Sequence, residues 1–227
     1  MDLFQEKVKP QSLPAGDFSS WLRHIRNALL SESGIDVACE GCIGCCSSSY
    51  FIHIKPQETG SLSRIRKEVL FSAPGLPKGH LLMGYDKDGR CPMLEKGKCV
   101  IYEHRPLTCR NYDCRVFTAA GIAAGGDDKA VINQRVERWK FSYPTESDRN
   151  EHLAVRAAAT FIREHAHSFP GGQVPNDLGQ LAMLAIKVYD VFLKKSGGAD
   201  TPESARSDTD LVKAIVDACQ QFDAPTL

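Results

Sequence analysis

The stretch CEGCIGCC at positions 39–46 places four cysteines within eight residues. A C-x2-C turn lets two thiolates converge on one metal centre, as in zinc sites and iron–sulfur loops. Two such turns share this run, and Gly41 and Gly44 lie inside them. Glycine permits backbone angles that other residues resist, and it exposes N–H groups that can bond to thiolate sulfur. The spacing therefore indicates a metal site.

A second cysteine-rich region follows 44 residues later, with the sequence CPMLEKGKCVIYEHRPLTCRNYDC at positions 91–114. Neither region alone has enough regular structure to hold a rigid site, so we expect both to ligate the same metal assembly. Eight thiols suffice for two tetrahedral sites. Adjacent Cys45 and Cys46 would most easily serve different metal ions. The predicted metal ligands are Cys39, Cys42, Cys45, Cys46, Cys91, Cys99, Cys109 and Cys114.

The identity of the metal is left open between an iron–sulfur cluster and zinc. The C-x2-C-x2-C run resembles ferredoxin-like loops, which favours a 4Fe-4S cluster. Cys39, Cys42 and Cys45 would then take three corners of the cube, and a cysteine from 91–114 the fourth. The remaining four thiols could hold a second centre. Two zinc sites without iron satisfy the same eight cysteines equally well.

Positively charged residues surround the second region, where they could offset the excess negative charge of thiolates and lower thiol pKa values. We expect this role for Arg110, which directly follows Cys109. For Arg90, Lys96 and Lys98, surface ion pairs are the simpler interpretation.

Overall composition limits the partners and the compartment. Twenty-eight Lys and Arg balance 28 Asp and Glu, which argues against a dedicated nucleic-acid binder. The N-terminal sequence lacks the apolar core of a signal peptide, and no run of about 18 apolar residues predicts a membrane span. We therefore expect a cytoplasmic protein with reduced thiols, in which clustered cysteines bind metal more often than they form disulfides. The partner, if there is one, is an unidentified protein.

Apolar periodicity predicts the elements that must position these thiols. Asp17 is a candidate N-cap for a helix over 17–31, and Pro56 suits the first turn of another over 55–71. A short strand is expected at 49–54, and turn-rich loop at 72–90. Further amphipathic helices are predicted at 146–167, 177–195 and 208–222, with a connector at 194–204.

These elements predict a mostly helical α+β protein. Residues 1–118 would form a cysteine-rich metal-binding module with short strands and an N-terminal helix. Residues 119–227 would form a helical C-terminal region that packs on the module as one unit.

The cysteine pattern resembles the YkgJ-like cysteine-cluster family, described as a zinc- or iron-chelating domain. The family pattern is CxxCxxCC followed by CPxL, C-x-IY-x-x-RP-x-x-CR and one more cysteine. Besides the eight cysteines, this chain carries it at Pro92, Leu94, Ile101, Tyr102, Arg105, Pro106 and Arg110. The resemblance covers about a third of the chain directly and implies metal binding through zinc or iron.

Three functions fit these observations. The first is an iron–sulfur or zinc protein in metal handling or electron transfer. The second is a structural zinc module with a helical protein-interaction surface. The third is a cluster-dependent modifying enzyme, because flagellin lysine methylase carries the same kind of cluster. No Ser/His/Asp set, carboxylate pair or glycine-rich nucleotide loop can be singled out, so catalysis is left open.

Overall fold

The computed structural model describes residues 11–31, 34–35, 37, 41–172, 174–193 and 207–224. Cys39 and the connector predicted at 194–204 lie outside the described residues. Helices predominate, the strands are short, and the C-terminal part is helical, which confirms the predicted mostly helical α+β class. No described helix is both long enough and apolar enough to cross a bilayer.

Eight α-helices occur in the described part of the chain. They are α1 (Phe18–Ser31), α2 (Thr59–Leu62), α3 (Leu107–Arg110), α4 (Arg115–Ala120), α5 (Ala130–Arg138), α6 (Glu146–Glu164), α7 (Leu178–Val188) and α8 (Asp208–Asp223).

Seven strands form three small sheets in the same part of the chain. They are β1 (Leu13–Asp17), β2 (Ile52–Ile54), β3 (Leu70–Ser72), β4 (Leu81–Met83), β5 (Leu94–Glu95), β6 (Lys98–Cys99) and β7 (Trp139–Ser142). Strands β1 and β7 pair in parallel. The order β2-β4-β3 makes an antiparallel sheet, and β5 and β6 form a hairpin with Leu94 opposite Cys99.

The larger hydrophobic core joins the N-terminal helix to the C-terminal helices. Helix α1 buries Phe18, Trp21, Leu22 and Ile25, as its predicted apolar stripe requires. These side chains share one core with buried residues of α4, α6, α7 and α8. Small residues on α6 and α7, among them Ala158, let the two helices pack closely.

Asp148 ties two helix N-termini together inside this core. Its carboxylate accepts hydrogen bonds from the Ser19 amide, at the start of α1, and from the Thr145 amide and hydroxyl. Thr145 and Asp148 form a capping box at the start of α6. These hydrogen bonds, that of the Thr145 side chain first, lower the pKa of Asp148 to about 2. The cap of α1 is therefore a distant carboxylate, while Asp17 accepts from the Ser142 hydroxyl.

The smaller core lies in the cysteine-rich region and contains five buried side chains, Ile54, Ile65, Met83, Met93 and Ile101. Cys91 and Cys99 pack against it, partly buried. Its strands are only two or three residues long, so backbone pairing adds little rigidity of its own.

The helix predicted over 55–71 is replaced by the short helix α2, a 3-10 turn at Lys67–Val69 and strand β3. Pairing of β3 with β4 explains the difference, because a tertiary partner overrides a weak local helix preference. Helices α4 and α5 lie where no helix was predicted. Helix α4 ends at Gly121, whose left-handed conformation (φ 69°) is typical of a helix C-terminus.

Candidate metal centre

Seven of the eight predicted ligands line a single cavity of about 860 Å³. Its wall contains four cationic side chains, Lys98, Arg105, Arg115 and Arg135, and the described residues that line it include no Asp, Glu or His. The structure thus gathers thiols from chain segments up to 72 positions apart. The cysteines in this wall are Cys42, Cys45, Cys46, Cys91, Cys99, Cys109 and Cys114.

The first cysteine run follows a tight loop that ends in a 3-10 turn at Cys45–Ser47. Gly41 has φ +64°, a left-handed conformation that side chains resist. The Gly44 amide donates to the Cys42 sulfur at 3.5 Å, as the sequence predicted for a glycine in this run. A Cβ at Gly44 would come within 3.5 Å of that sulfur and 3.3 Å of Ile132. Gly41 therefore permits the turn, and Gly44 donates a hydrogen bond to the Cys42 sulfur.

The β5–β6 hairpin positions two further thiols, Cys91 just before it and Cys99 at its end. Lys96 and Gly97 form the turn with positive φ angles. The Cys91 amide donates to the Cys46 carbonyl at 2.7 Å. This bond fixes the second region against the first, across the 44-residue gap.

Helix α3 carries Cys109 and is held by two hydrogen bonds at its N-terminal end. The Leu107 amide, in its first turn, donates to the Glu58 carboxylate at 2.6 Å. The Thr108 hydroxyl donates to the His53 carbonyl of β2 at 2.7 Å. Cys109 is therefore placed by contacts with the β2 region, although only four residues form the helix.

Cys46, Cys91, Cys99 and Cys109, here named the Cys46 group, lie close together. All six pairs among these thiols interact electrostatically. Burial, followed by the neighbouring thiols, raises the pKa of Cys91 to about 11 and that of Cys109 to about 12. Cys46 differs, because a hydrogen bond from the Cys45 thiol lowers its pKa to about 7. The surrounding protein therefore disfavours four thiolates at this place. A bound cation would be needed to hold all four in the ionised form.

Arg105 is the cation that faces this group. Its charge favours the thiolates of Cys46, Cys99 and Cys109. The guanidinium lies 3.7 Å from the centre of the Tyr102 ring and donates to the Tyr102 carbonyl at 2.9 Å, which fixes its orientation. Arg110, favoured from the sequence, is exposed and does not line the cavity. Arg105 belongs to the Arg-Pro pair of the family pattern, and that position in the sequence was the signal that could have identified it.

Cys42, Cys45 and Cys114, here named the Cys45 group, lie toward the larger core. Cys114 belongs to that core, Cys45 packs against it, and the Trp139 indole donates to the Cys114 sulfur at 3.2 Å. The hydroxyls of Tyr50 and Tyr112 are 3.3 Å apart near Cys45. Burial raises the pKa of Tyr112 above its usual range.

Asp113, which the sequence analysis missed, anchors Cys114 from the preceding position. Its carboxylate is buried, accepts from the Trp21 indole at 2.9 Å and pairs with Arg115 at 2.8 Å. A buried carboxylate with these partners joins the Cys114 segment to α1, so Asp113 positions the site without lining the cavity.

No disulfide bond joins the described cysteines, which include the ninth, Cys219 on α8. Among the described residues, no three Cys, His, Asp or Glu side chains converge closely enough to hold one ion directly. The ring of His53 forms a hydrogen bond with the ring of His80 at 2.8 Å, and His53 is not among the residues that line the cavity. The donor set is therefore made of soft sulfur ligands distributed around a space larger than one ion needs, and it fits a thiolate-bound centre.

Comparison with known proteins gives one family match. Residues 38–136 match the family model CxxCxxCC, described as "Putative zinc- or iron-chelating domain". No curated protein and no solved structure matches the chain. The matched segment contains all eight predicted ligands, helix α4 and most of helix α5. Residues 38–136 of this chain therefore resemble the CxxCxxCC family, and the description of that family supports metal binding.

Proposed function

We propose that the chain holds an iron–sulfur centre, of the four-iron type, and acts in electron transfer or metal handling. The observation that carries this proposal is the cavity lined by seven thiols and four cations, with no carboxylate among its described lining residues. Thiolates select iron–sulfur clusters, zinc or cuprous copper, whereas calcium and magnesium require oxygen ligands.

The distribution of the thiols favours a cluster over a single ion. A lone zinc ion draws four ligands to about 2.3 Å from one point. A four-iron cluster binds its thiolates at the corners of a cube, so their sulfurs lie further apart. The described thiols surround a cavity of about 860 Å³ without three of them converging. This arrangement supports the larger inorganic unit.

The eight cysteines predicted from the sequence remain the proposed ligands, with Cys39 outside the described residues. Bound there, a cluster would accept and release single electrons. The chain contributes the environment: Met83, Met93 and Ile101 give the cavity an apolar wall that limits access of water, and Arg105 offsets negative charge. Cysteines that bind metal suit a reducing compartment, so we propose a cytoplasmic location.

A structural zinc module is the second candidate, and the size of the smaller core favours it. Five buried side chains are few for a region that carries seven described ligands, and a bound metal can supply the missing folding free energy. For either candidate function we expect any partner to be a protein, whose identity is open.

Anaerobic purification followed by iron, zinc and acid-labile sulfide assays tests the proposal. We expect stoichiometric iron and sulfide, with an absorption band that bleaches reversibly on reduction. Cys219→Ser is the matched control, because Cys219 lies on α8 away from the cavity and its loss should leave metal content unchanged. Stoichiometric zinc without iron or sulfide would favour the structural module, and absence of any bound metal would refute both candidates.

A further inference from the structure

The seven described thiols divide between the two cores of the protein. Cys91 and Cys99 pack against the smaller core. Cys114 is part of the larger core, and Cys45 packs against it. Although these thiols share one cavity, the two sides of its wall therefore belong to different cores.

Backbone contacts place the remaining members on the same two sides. The Cys46 carbonyl accepts from the Cys91 amide at 2.7 Å, which brings Cys46 to the side of the smaller core. Helix α3, with Cys109, is bonded through Thr108 to strand β2 of that side. The loop of Cys42 lies instead against Ile132, a buried residue of the larger core.

The electrostatic contacts divide in the same way. Each of the four thiols in the Cys46 group interacts with each of the other three. Cys45 and Cys114 both act on Tyr112. The groups meet where the Cys45 thiol donates to the Cys46 sulfur. Adjacent Cys45 and Cys46 thus have different surroundings, because Cys46 interacts with Cys91, Cys99 and Cys109 and Cys45 acts on Tyr112.

We propose that Cys46, Cys91, Cys99 and Cys109 form the complete ligand set of one metal centre. The thiols of Cys42, Cys45 and Cys114 then belong to a separate centre. This inference rests on the proposed metal function and adds which cysteines act together. Four thiolates complete the coordination of either a zinc ion or a four-iron cluster, so the set needs no ligand from the Cys45 group.

Stepwise release of metal from the wild-type protein tests the division without any variant. Anaerobic protein is treated with increasing EDTA, alkylated with N-ethylmaleimide, and each cysteine is followed by mass spectrometry. We expect Cys46, Cys91, Cys99 and Cys109 to lose protection together, in a step distinct from that of the Cys45 group. Loss of protection at Cys46 in the same step as Cys45 would overturn the proposal.

Double variants give a second test through metal content. Cys91→Ser should remove one centre, and C91S/C99S should remove no more than C91S alone. C91S/C114S should remove more metal than C91S, because it affects both centres. Equal metal loss in C91S and C91S/C114S, with wild-type protein fully loaded, would overturn the division. Wild-type protein that binds no metal would instead contradict the proposed function itself.

Discussion

The two cores of this protein are stabilised in different ways. The larger core combines α1 with α4, α6, α7 and α8, and it buries long apolar stripes. The smaller core has five buried side chains between strands of two or three residues. Apolar burial is enough to stabilise the first region, whereas the second has too little buried surface. The cysteine-rich region is therefore the one in which a metal would contribute most to folding.

Removal of metal should give the largest effect and separate the two regions. A structural thiolate site can supply on the order of 10 kcal/mol of folding free energy. We expect chelation to increase hydrogen exchange strongly in residues 41–114 while α6 and α7 keep their protection. Equal loss of protection in both regions would show that the stability of the larger core also depends on the metal.

A cavity at a larger-core residue that does not line the thiol cavity should affect stability without affecting metal binding. Ile186 is fully buried on α7, so Ile186→Ala is expected to lower the free energy of unfolding by about 2 to 5 kcal/mol. Urea unfolding measures this, with metal content assayed in parallel.

Two matched variants sharpen that experiment. Ile54→Ala removes an equally buried side chain from the smaller core, and it should lower metal retention as well as stability. Leu153→Ala, at a position 65% exposed on α6, should change stability by less than about 0.5 kcal/mol. If Ile186→Ala released metal and Ile54→Ala did not, the assignment of the Cys46 group to the smaller core would be wrong.

Acid should weaken the larger core through Asp148. Its pKa is about 2 in the folded protein against 3.8 ordinarily, so its contribution is complete above about pH 4. The contribution, about 1 to 2 kcal/mol after allowance for solvent screening, is lost as pH falls from 4 toward 2. Asp148→Asn should be less stable than wild type at pH 6, with the difference shrinking toward pH 2 in urea unfolding. Asp217→Asn, at an exposed site on α8, controls for loss of charge, and a constant difference across this range would contradict the assignment.

Arg105 should give the smallest effect, confined to the cysteine-rich region. Loss of its charge in Arg105→Gln is expected to weaken metal binding by on the order of 1 kcal/mol, about fivefold. Arg105→Lys should restore part of this, since the charge remains while the planar contact with Tyr102 changes. Competition with a chelator measures the affinity, and exposed Arg110→Gln is the control. An equal effect of both glutamine variants would argue against a specific role for Arg105.

The sequence alone determined the amphipathic helices and the ligand candidates. Stripes such as Phe18, Trp21 and Leu22 repeat at helical spacing, and burial of one face follows directly from that period. The cysteine spacing is equally local, because a C-x2-C turn brings two thiols together without help from the rest of the chain. The family match to residues 38–136 agrees with the predicted metal binding by these cysteines.

The tertiary structure decided which partners these local elements meet. Strand β3 replaces part of a predicted helix because β4 pairs with it, and the N-terminus of α1 is capped by Asp148, 129 positions away from Ser19. Arg105, and not Arg110, faces the thiols because α3 and the turn before it orient the two guanidinium groups differently. Such choices depend on contacts between distant segments, and no periodicity or spacing within one segment encodes them.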